Sequence, residues 1–132
     1  MIRKILPLAV LCAAMQPLVV GAEDHTEGKR LYQTYCTGCH GASGKGDGPA
    51  AKTLPVKPAD HTDRKKMSQY SDERLVTVIS KGGASVGKSS QMPAWSAVLK
   101  EAQIHEIVLY IRTLASAQKD TAKLSGGSKG SH

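Results

Sequence analysis

The residues best suited to chemistry are two closely spaced cysteines followed by a histidine, in the stretch YCTGCHG at residues 35–41. Cys36 and Cys39 are separated by about one helical turn, and His40 directly follows the second cysteine. Three kinds of chemistry use such a pair: a disulfide or redox dithiol, half of a zinc site, and covalent attachment of a haem. The rest of the chain must discriminate between them.

The other residues of the chain disfavour a zinc site and a redox dithiol. A structural zinc ion needs four ligands, but the chain has no second cysteine pair. The other histidines are scattered along the sequence: His25, His61, His105 and His132. A thioredoxin-like dithiol lies where a strand meets a helix. The hydrophobic pattern of this chain indicates helices and loops without a convincing strand.

Haem attachment requires the residue types that are present. Two thiols one helical turn apart can each bond a vinyl group on the same edge of a porphyrin, and the adjacent imidazole is then held under the ring. This spacing is the pattern of c-type haem attachment. We therefore predict one covalently bound haem c, with Cys36 and Cys39 as its thioether residues and His40 as an axial ligand of the iron.

A second axial ligand is predicted in the stretch QMPAW, within a loop between two helices. Pro93 fixes its own φ and favours extended backbone at Met92, which can then present its thioether without a helix in the way. Met67 follows three basic residues and is expected to be a surface or gap-filling residue. The sequence favours Met92 as the sixth ligand of the iron, with Met67, His61 and an open site as alternatives.

The first 22 residues have the layout of a secretory signal peptide. Arg3 and Lys4 precede an apolar run over residues 5–20, and an A-x-A-like ending closes at Ala22. The apolar run contains two prolines and a glutamine and is shorter than the ~20 residues of a membrane span. Cys12 lacks the small preceding residue of a lipoprotein signal. We predict cleavage after Ala22, export to the periplasm, and no stable membrane span.

Removal of residues 1–22 leaves 110 residues, the size of a single domain. The chain has no Phe, one Trp and four Tyr, so it lacks the large side chains that usually fill a small core. A bulky buried cofactor would fill that space. We predict a domain over residues 23–117 and a disordered Lys-, Ser- and Gly-rich tail over residues 118–132.

The charge of the chain indicates the kind of partner it meets. The formal net charge of +7 falls to +5 when Arg3 and Lys4 leave with the signal. A moderately basic exported protein suits redox partners with acidic docking surfaces. Export, and the lack of an aromatic-basic cluster, argue against nucleic acid. Five lysines are candidates for the docking surface: Lys29, Lys45, Lys52, Lys57 and Lys88.

Three main helices are predicted, joined by long loops. The first begins near Asp24, with Glu27 as the reciprocal partner of that cap. The second begins after Ser71 and stops at the glycine pair of residues 82–83. The third runs over about residues 101–117, where apolar residues recur at helical spacing.

These features resemble a class I c-type cytochrome. The motif CTGCHG at residues 36–41 matches the haem-binding motif of that family. Gly28 and Tyr32 resemble its glycine and aromatic residue on the first helix, although many relatives have Phe in place of this Tyr. Ile107 and Tyr110 resemble the apolar-aromatic pair on its last helix. In the family these two helices cross at nearly a right angle, and the glycine permits close approach.

Two further stretches carry the resemblance, which covers about residues 24–114. The Gly-rich stretch of residues 41–51, followed by Pro-Ala-Asp at residues 58–60, is similar to a bacterial branch of small single-haem cytochromes. Residues 92–93 match the axial methionine motif. The resemblance implies an all-α cytochrome c fold, with three main helices and long loops wrapped around one haem.

The resemblance also implies the function: one-electron transfer in the periplasm, with the haem iron cycling between ferric and ferrous states. Met92 and His40 would fill both axial positions, so we expect a carrier and not an enzyme. An alternative is a haem c subunit of a larger periplasmic oxidoreductase. A ligand-binding or peroxidase-type haem protein is less favoured, because it needs an open iron site.

Overall fold

The computed structural model describes residues 25–125, and the side chains within it as far as residue 117. The predicted signal peptide and residues 126–132 lie outside the described residues. The elements are α1 (Thr26–Tyr35), α2 (Thr37–His40), α3 (Arg64–Met67), α4 (Asp72–Lys81) and α5 (Glu101–Ser125), with short 3-10 helices at Pro49–Thr53 and Gly83–Val86. No β-strand occurs between residues 25 and 125. The predicted all-α fold is confirmed.

Helix α1 begins within two residues of the predicted start near Asp24. Its first residue is Thr26, with His25 at the N-cap position, while Asp24 lies outside the described residues. Glu27 was expected to bond back to the cap. Its carboxylate accepts two hydrogen bonds of 2.7 Å from the guanidinium of Arg30, one turn later. The reciprocal bond predicted between Glu27 and Asp24 involves a residue outside the described part of the chain, and it stays a prediction.

Helices α1 and α5 pack together at the centre of the fold. A Cβ atom at Gly28 would overlap the backbone carbonyl of Glu106, so only glycine allows the two backbones this close. Tyr32 and Tyr110 meet edge to face, with ring centroids 5.3 Å apart. Ile107 and Tyr32 are both fully buried. The sequence therefore identified the residues of this helix contact correctly.

Helix α4 has the predicted start and stop. The Ser71 hydroxyl caps it by accepting a hydrogen bond from the Arg74 N–H, at 3.2 Å. Gly82 ends it with a φ of +83°, a conformation that favours glycine. Leu75 and Ile79 form its buried face.

Helix α5 begins at Glu101 as predicted but continues to Ser125, beyond the predicted end at Ala117. The first part of the expected tail is thus helical. None of the helices within residues 25–125 is both long and apolar enough to cross a membrane.

Arg112 joins α5 to the chain between α3 and α4. Its guanidinium donates hydrogen bonds to the carbonyls of Met67 at 2.8 Å and Tyr70 at 2.6 Å, and to the carboxylate of Asp72 at 2.8 Å. The Met67 side chain is 2% exposed and belongs to the core. It fills the interior between α3 and α5, so a surface position for this residue is excluded.

Candidate functional site

A single helical turn brings the two cysteines and the histidine together. Cys36 is the N-cap of α2, and its carbonyl accepts hydrogen bonds from the N–H groups of Cys39 at 3.3 Å and His40 at 2.9 Å. Both cysteines are free thiols and are half-buried, as is His40. Because α2 follows α1 with only Cys36 between them, the packing of α1 on α5 also positions this turn.

The Gly-rich loop after α2 folds back onto the end of that helix. The N–H of Gly46 donates to the carbonyl of His40 at 2.8 Å, and the N–H of Gly48 donates to the carbonyl of Cys39 at 3.1 Å. Gly46 has a φ of +71°, and a Cβ atom there would overlap the carbonyl of Pro58. The glycines therefore satisfy the last carbonyls of α2 and bring the segment after Pro58 against His40.

The backbone of Ala59 orients the imidazole of His40. Its carbonyl oxygen lies 3.0 Å from Nδ1 of His40. A carbonyl only accepts hydrogen bonds, so Nδ1 carries the proton and Nε2 keeps its lone pair. Burial lowers the pKa of His40, against the smaller opposing effect of this hydrogen bond. The imidazole is therefore neutral at neutral pH, which is the form that binds a metal.

The donor set fits haem c. Burial raises the pKa of the Cys36 thiol to about 12, and the neighbouring Cys39 adds to the rise, so this thiol is protonated at neutral pH. Within residues 25–125 no three His, Cys, Asp or Glu side chains are grouped to hold a bare metal ion. Two thiols and one neutral imidazole instead match a metal whose other ligands come from a porphyrin. Cys36 and Cys39 would hold such a group, and Nε2 of His40 would bind its iron.

His61 lies directly against His40, a relationship that sequence reasoning missed. The two rings stack with centroids 4.2 Å apart and an angle of 18° between their planes. The side chain of His61 is buried, and its Nδ1 lies 2.9 Å from the hydroxyl of Tyr32. Burial, followed by the proximity of His40, lowers the pKa of His61 to about 3, although Asp60 opposes that shift.

This position argues against His61 as the sixth ligand. Axial ligands on opposite faces of a haem are separated by the porphyrin plane, whereas the rings of His61 and His40 are in contact. One feature of the sequence could have indicated that His61 lies near His40. His61 directly follows Pro-Ala-Asp, the stretch that also supplies the carbonyl bound to His40.

The loop that carries Met92 is anchored to the end of α4. The carbonyl of Met92 accepts a hydrogen bond from the Gly83 N–H at 3.0 Å, and its N–H donates to the carbonyl of Ser89 at 3.3 Å. Further along, the N–H of Trp95 donates to the carbonyl of Ile79 at 3.0 Å. The Met92 side chain is half-buried and packs against the core.

Met67, the alternative sulfur ligand, lies at the end of α3 inside the core. Its side chain therefore already has a packing role. The candidate docking lysines are all exposed: Lys29, Lys45, Lys52, Lys57 and Lys88.

Comparison with known proteins gives one family and two solved structures. Residues 23–111 match the family model described as "Cytochrome C oxidase, cbb3-type, subunit III". The chain is similar to the solved "KustC0563 c-type cytochrome", with a TM-score of 0.54 and 23% identity over 66% of this chain and 95% of that chain. At this identity the likeness is one of fold.

The second solved structure is the Kuenenia stuttgartiensis reducing HAO-like protein complex Kustc0457/Kustc0458. The similarity has a TM-score of 0.56 and 27% identity, and it covers 70% of this chain. The match spans only 43% of that longer chain. No curated protein matches this sequence significantly.

Proposed function

Because this chain belongs to the family described as cytochrome c oxidase, cbb3-type, subunit III, it is a small c-type cytochrome, and we propose that it is a diffusible one-electron carrier of the periplasm. Electron transfer through a haem is the function of the family's domain.

The hydrogen bond from Nδ1 of His40 to the carbonyl of Ala59 is the observation that carries the proposal. It leaves Nε2 free to bind iron beside the two free thiols, Cys36 and Cys39. Met92 is the proposed sixth ligand. When bound, haem c supplies the one-electron chemistry, its iron alternating between ferric and ferrous states.

The chain restrains both proposed axial ligands before any electron moves. His40 is held by α2 and by Ala59, and the Met92 backbone is held by Gly83 and Ser89. Ligands fixed in this way rearrange little between the two oxidation states. A thioether paired with an imidazole would also favour the ferrous state and so raise the reduction potential relative to two imidazoles.

We propose that this chain turns over no substrate of its own. If His40 and Met92 hold the iron as proposed, they would leave it no open position for a substrate. The exposed lysines suit acidic partner surfaces, and attraction between them speeds association at low salt. Export through the predicted signal over residues 1–22 would place the carrier in the periplasm.

A haem c subunit of a larger oxidoreductase is the second candidate. The matching family is described as an oxidase subunit, and one similar structure belongs to a complex. The two candidate functions predict different association with partner proteins. A subunit co-purifies with the same partner at a fixed ratio through size exclusion in moderate salt, whereas a carrier elutes alone.

Rapid mixing of the holoprotein tests the carrier function. We expect fast one-electron reduction by an acidic redox protein, with a rate that falls as salt screens the attraction. A neutral small-molecule reductant serves as the control, since salt should barely change its rate. A rate with the acidic donor that does not depend on salt would contradict only the electrostatic part.

The enzyme alternative is tested with peroxide and a reducing dye. Sustained turnover on the order of 1–10³ s⁻¹, the usual enzymatic range, would overturn the carrier proposal. We expect no turnover above that of free haem, because Met92 would occupy the position that peroxide needs.

A further inference from the structure

The segment of residues 59–62 contacts the imidazole of His40 in two different ways. The Ala59 carbonyl accepts the hydrogen bond from Nδ1, in the plane of the ring. The His61 ring lies flat against the face of the same imidazole, 4.2 Å away between centroids. The hydrogen bond alone fixes the direction of the N–H of His40 but lets the imidazole ring rotate about the axis of that bond. A flat neighbour on its face opposes this rotation.

His61 is itself held firmly. Its Nδ1 is 2.9 Å from the Tyr32 hydroxyl, and its backbone N–H donates to the Gly44 carbonyl at 2.7 Å. The side chain has 8% of its surface exposed, so little room remains for another rotamer. Tyr32 in turn is fixed in the contact between α1 and α5. A rigid chain of contacts thus runs from the core of the fold to the face of His40.

The backbone around His61 is restrained as well. The Oδ1 atom of Asp60 accepts hydrogen bonds from the N–H of Thr62 at 2.8 Å and from the Thr62 hydroxyl at 2.6 Å. This local turn closes over residue 61 and fixes the relative position of the Ala59 carbonyl and the His61 ring. Both contacts on His40 therefore come from one preformed unit.

We infer that His61 is a positioning residue that sets the plane of the His40 imidazole. The inference rests on the proposed binding of iron by His40. Second-shell groups orient a metal-bound histidine and tune its metal, and the hydrogen bond to a carbonyl is one such contact. In this chain the flat ring of His61 adds a second restraint, on the rotation of the ligand plane.

Two substitutions separate the ring of His61 from its hydrogen bond. His61→Phe keeps a flat ring of similar size but loses the nitrogen that meets Tyr32. His61→Ala removes the ring. The variants are made as ferric holoproteins, and the orientation of the axial ligand is read from the g values in electron paramagnetic resonance and from the spread of the haem-methyl proton shifts.

We expect His61→Ala to change the spread of the methyl shifts and the g values, while His61→Phe stays close to wild type. Val108→Ala is the matched control, because it removes buried side-chain volume on α5 instead. Spectra of His61→Ala that equal those of wild type, or an equal change in Val108→Ala at similar stability, would overturn the inference. A change in His61→Phe as large as in His61→Ala would overturn it too.

Failure of the proposed function is recognised separately. Each variant is first checked for haem that survives acid-acetone extraction and for low-spin ferric iron. Wild-type protein that retains no haem would refute the proposed haem site itself. Haem that is retained and low-spin in every variant, with unchanged ligand orientation, would refute only the role of His61.

Discussion

The rings of Tyr35 and Trp95 lie with centroids 5.3 Å apart and planes inclined by 60°. Tyr35 ends α1 directly before Cys36, and Trp95 lies three residues after Met92. The contact therefore joins the segment that carries the proposed thioether residues to the loop that carries the proposed sixth ligand. Together with the anchors of that loop on α4, it holds Met92 in a fixed relation to the cysteine turn.

Met92→Ala is expected to remove sulfur from the iron. The ferric holoprotein should lose the weak far-red absorption band that reports coordination by a thioether, and the ferrous protein should bind carbon monoxide. Met67→Ala is the matched control. It should keep the band but lower the free energy of unfolding by about 2–5 kcal/mol, because Met67 is fully buried. An unchanged band in Met92→Ala would assign the sixth position to another residue.

Cys36 and Cys39 are expected to hold the haem covalently. Protein made in a host that matures c-type cytochromes should retain its haem through acid-acetone extraction. Replacing both cysteines by serine should leave little folded protein, since a bound haem would fill much of the core of an aromatic-poor chain. The measurement is haem absorbance in the protein pellet after extraction. Free extraction from the wild-type protein would show that the thiols are not bonded to the cofactor.

Local signals account for what the sequence predicted well. The start and end of α4 depend on Ser71 and Gly82, which act within one helical turn. The cysteine-histidine motif needs only a single turn to bring its members together. The predicted contact between Gly28 and the last helix came from the family resemblance, and the structure agrees with it.

Long-range contacts account for what the sequence missed. His61 bonds to Tyr32, 29 residues earlier, and Arg112 bonds to carbonyls more than 40 residues earlier. Neither residue shows a local pattern that reveals such a partner. Glu27 has a local partner that the sequence analysis overlooked, the guanidinium of Arg30 one turn later.

Gly28→Ala should destabilise the contact between α1 and α5. The added methyl group would overlap the Glu106 carbonyl, so the helices must move apart at a cost on the order of 1–3 kcal/mol. Gly38→Ala is the matched control, since Gly38 lies in α2 with open space around its Cα. That change should be neutral or stabilise by up to about 1 kcal/mol.

Guanidinium unfolding of the two ferric holoproteins, followed by far-ultraviolet circular dichroism, measures the difference. Equal unfolding midpoints for the variants at Gly28 and Gly38 would show that the helices do not approach each other as closely as the structure places them.

Arg112→Met should lower the free energy of unfolding through lost hydrogen bonds. The guanidinium serves two backbone carbonyls, those of Met67 and Tyr70, and one exposed carboxylate, that of Asp72. Methionine keeps the length of the side chain but donates nothing, so the carbonyls lose a charged donor. Since Arg112 is partly exposed, we expect a loss of about 2–3 kcal/mol.

Asp72→Asn separates the salt bridge from the carbonyl contacts of Arg112. It removes only the charge of the exposed partner and keeps an acceptor oxygen, so its effect should stay below about 1 kcal/mol. Unfolding is measured at low and high salt, because screening weakens the salt bridge but hardly affects the hydrogen bonds to the carbonyls. The loss in Arg112→Met should therefore persist at high salt. Two results would contradict this: an equal loss of stability in the two variants, or an effect of Arg112→Met that disappears at high salt. Either result would mean that the carbonyl contacts contribute little and that Arg112 acts as a surface ion pair.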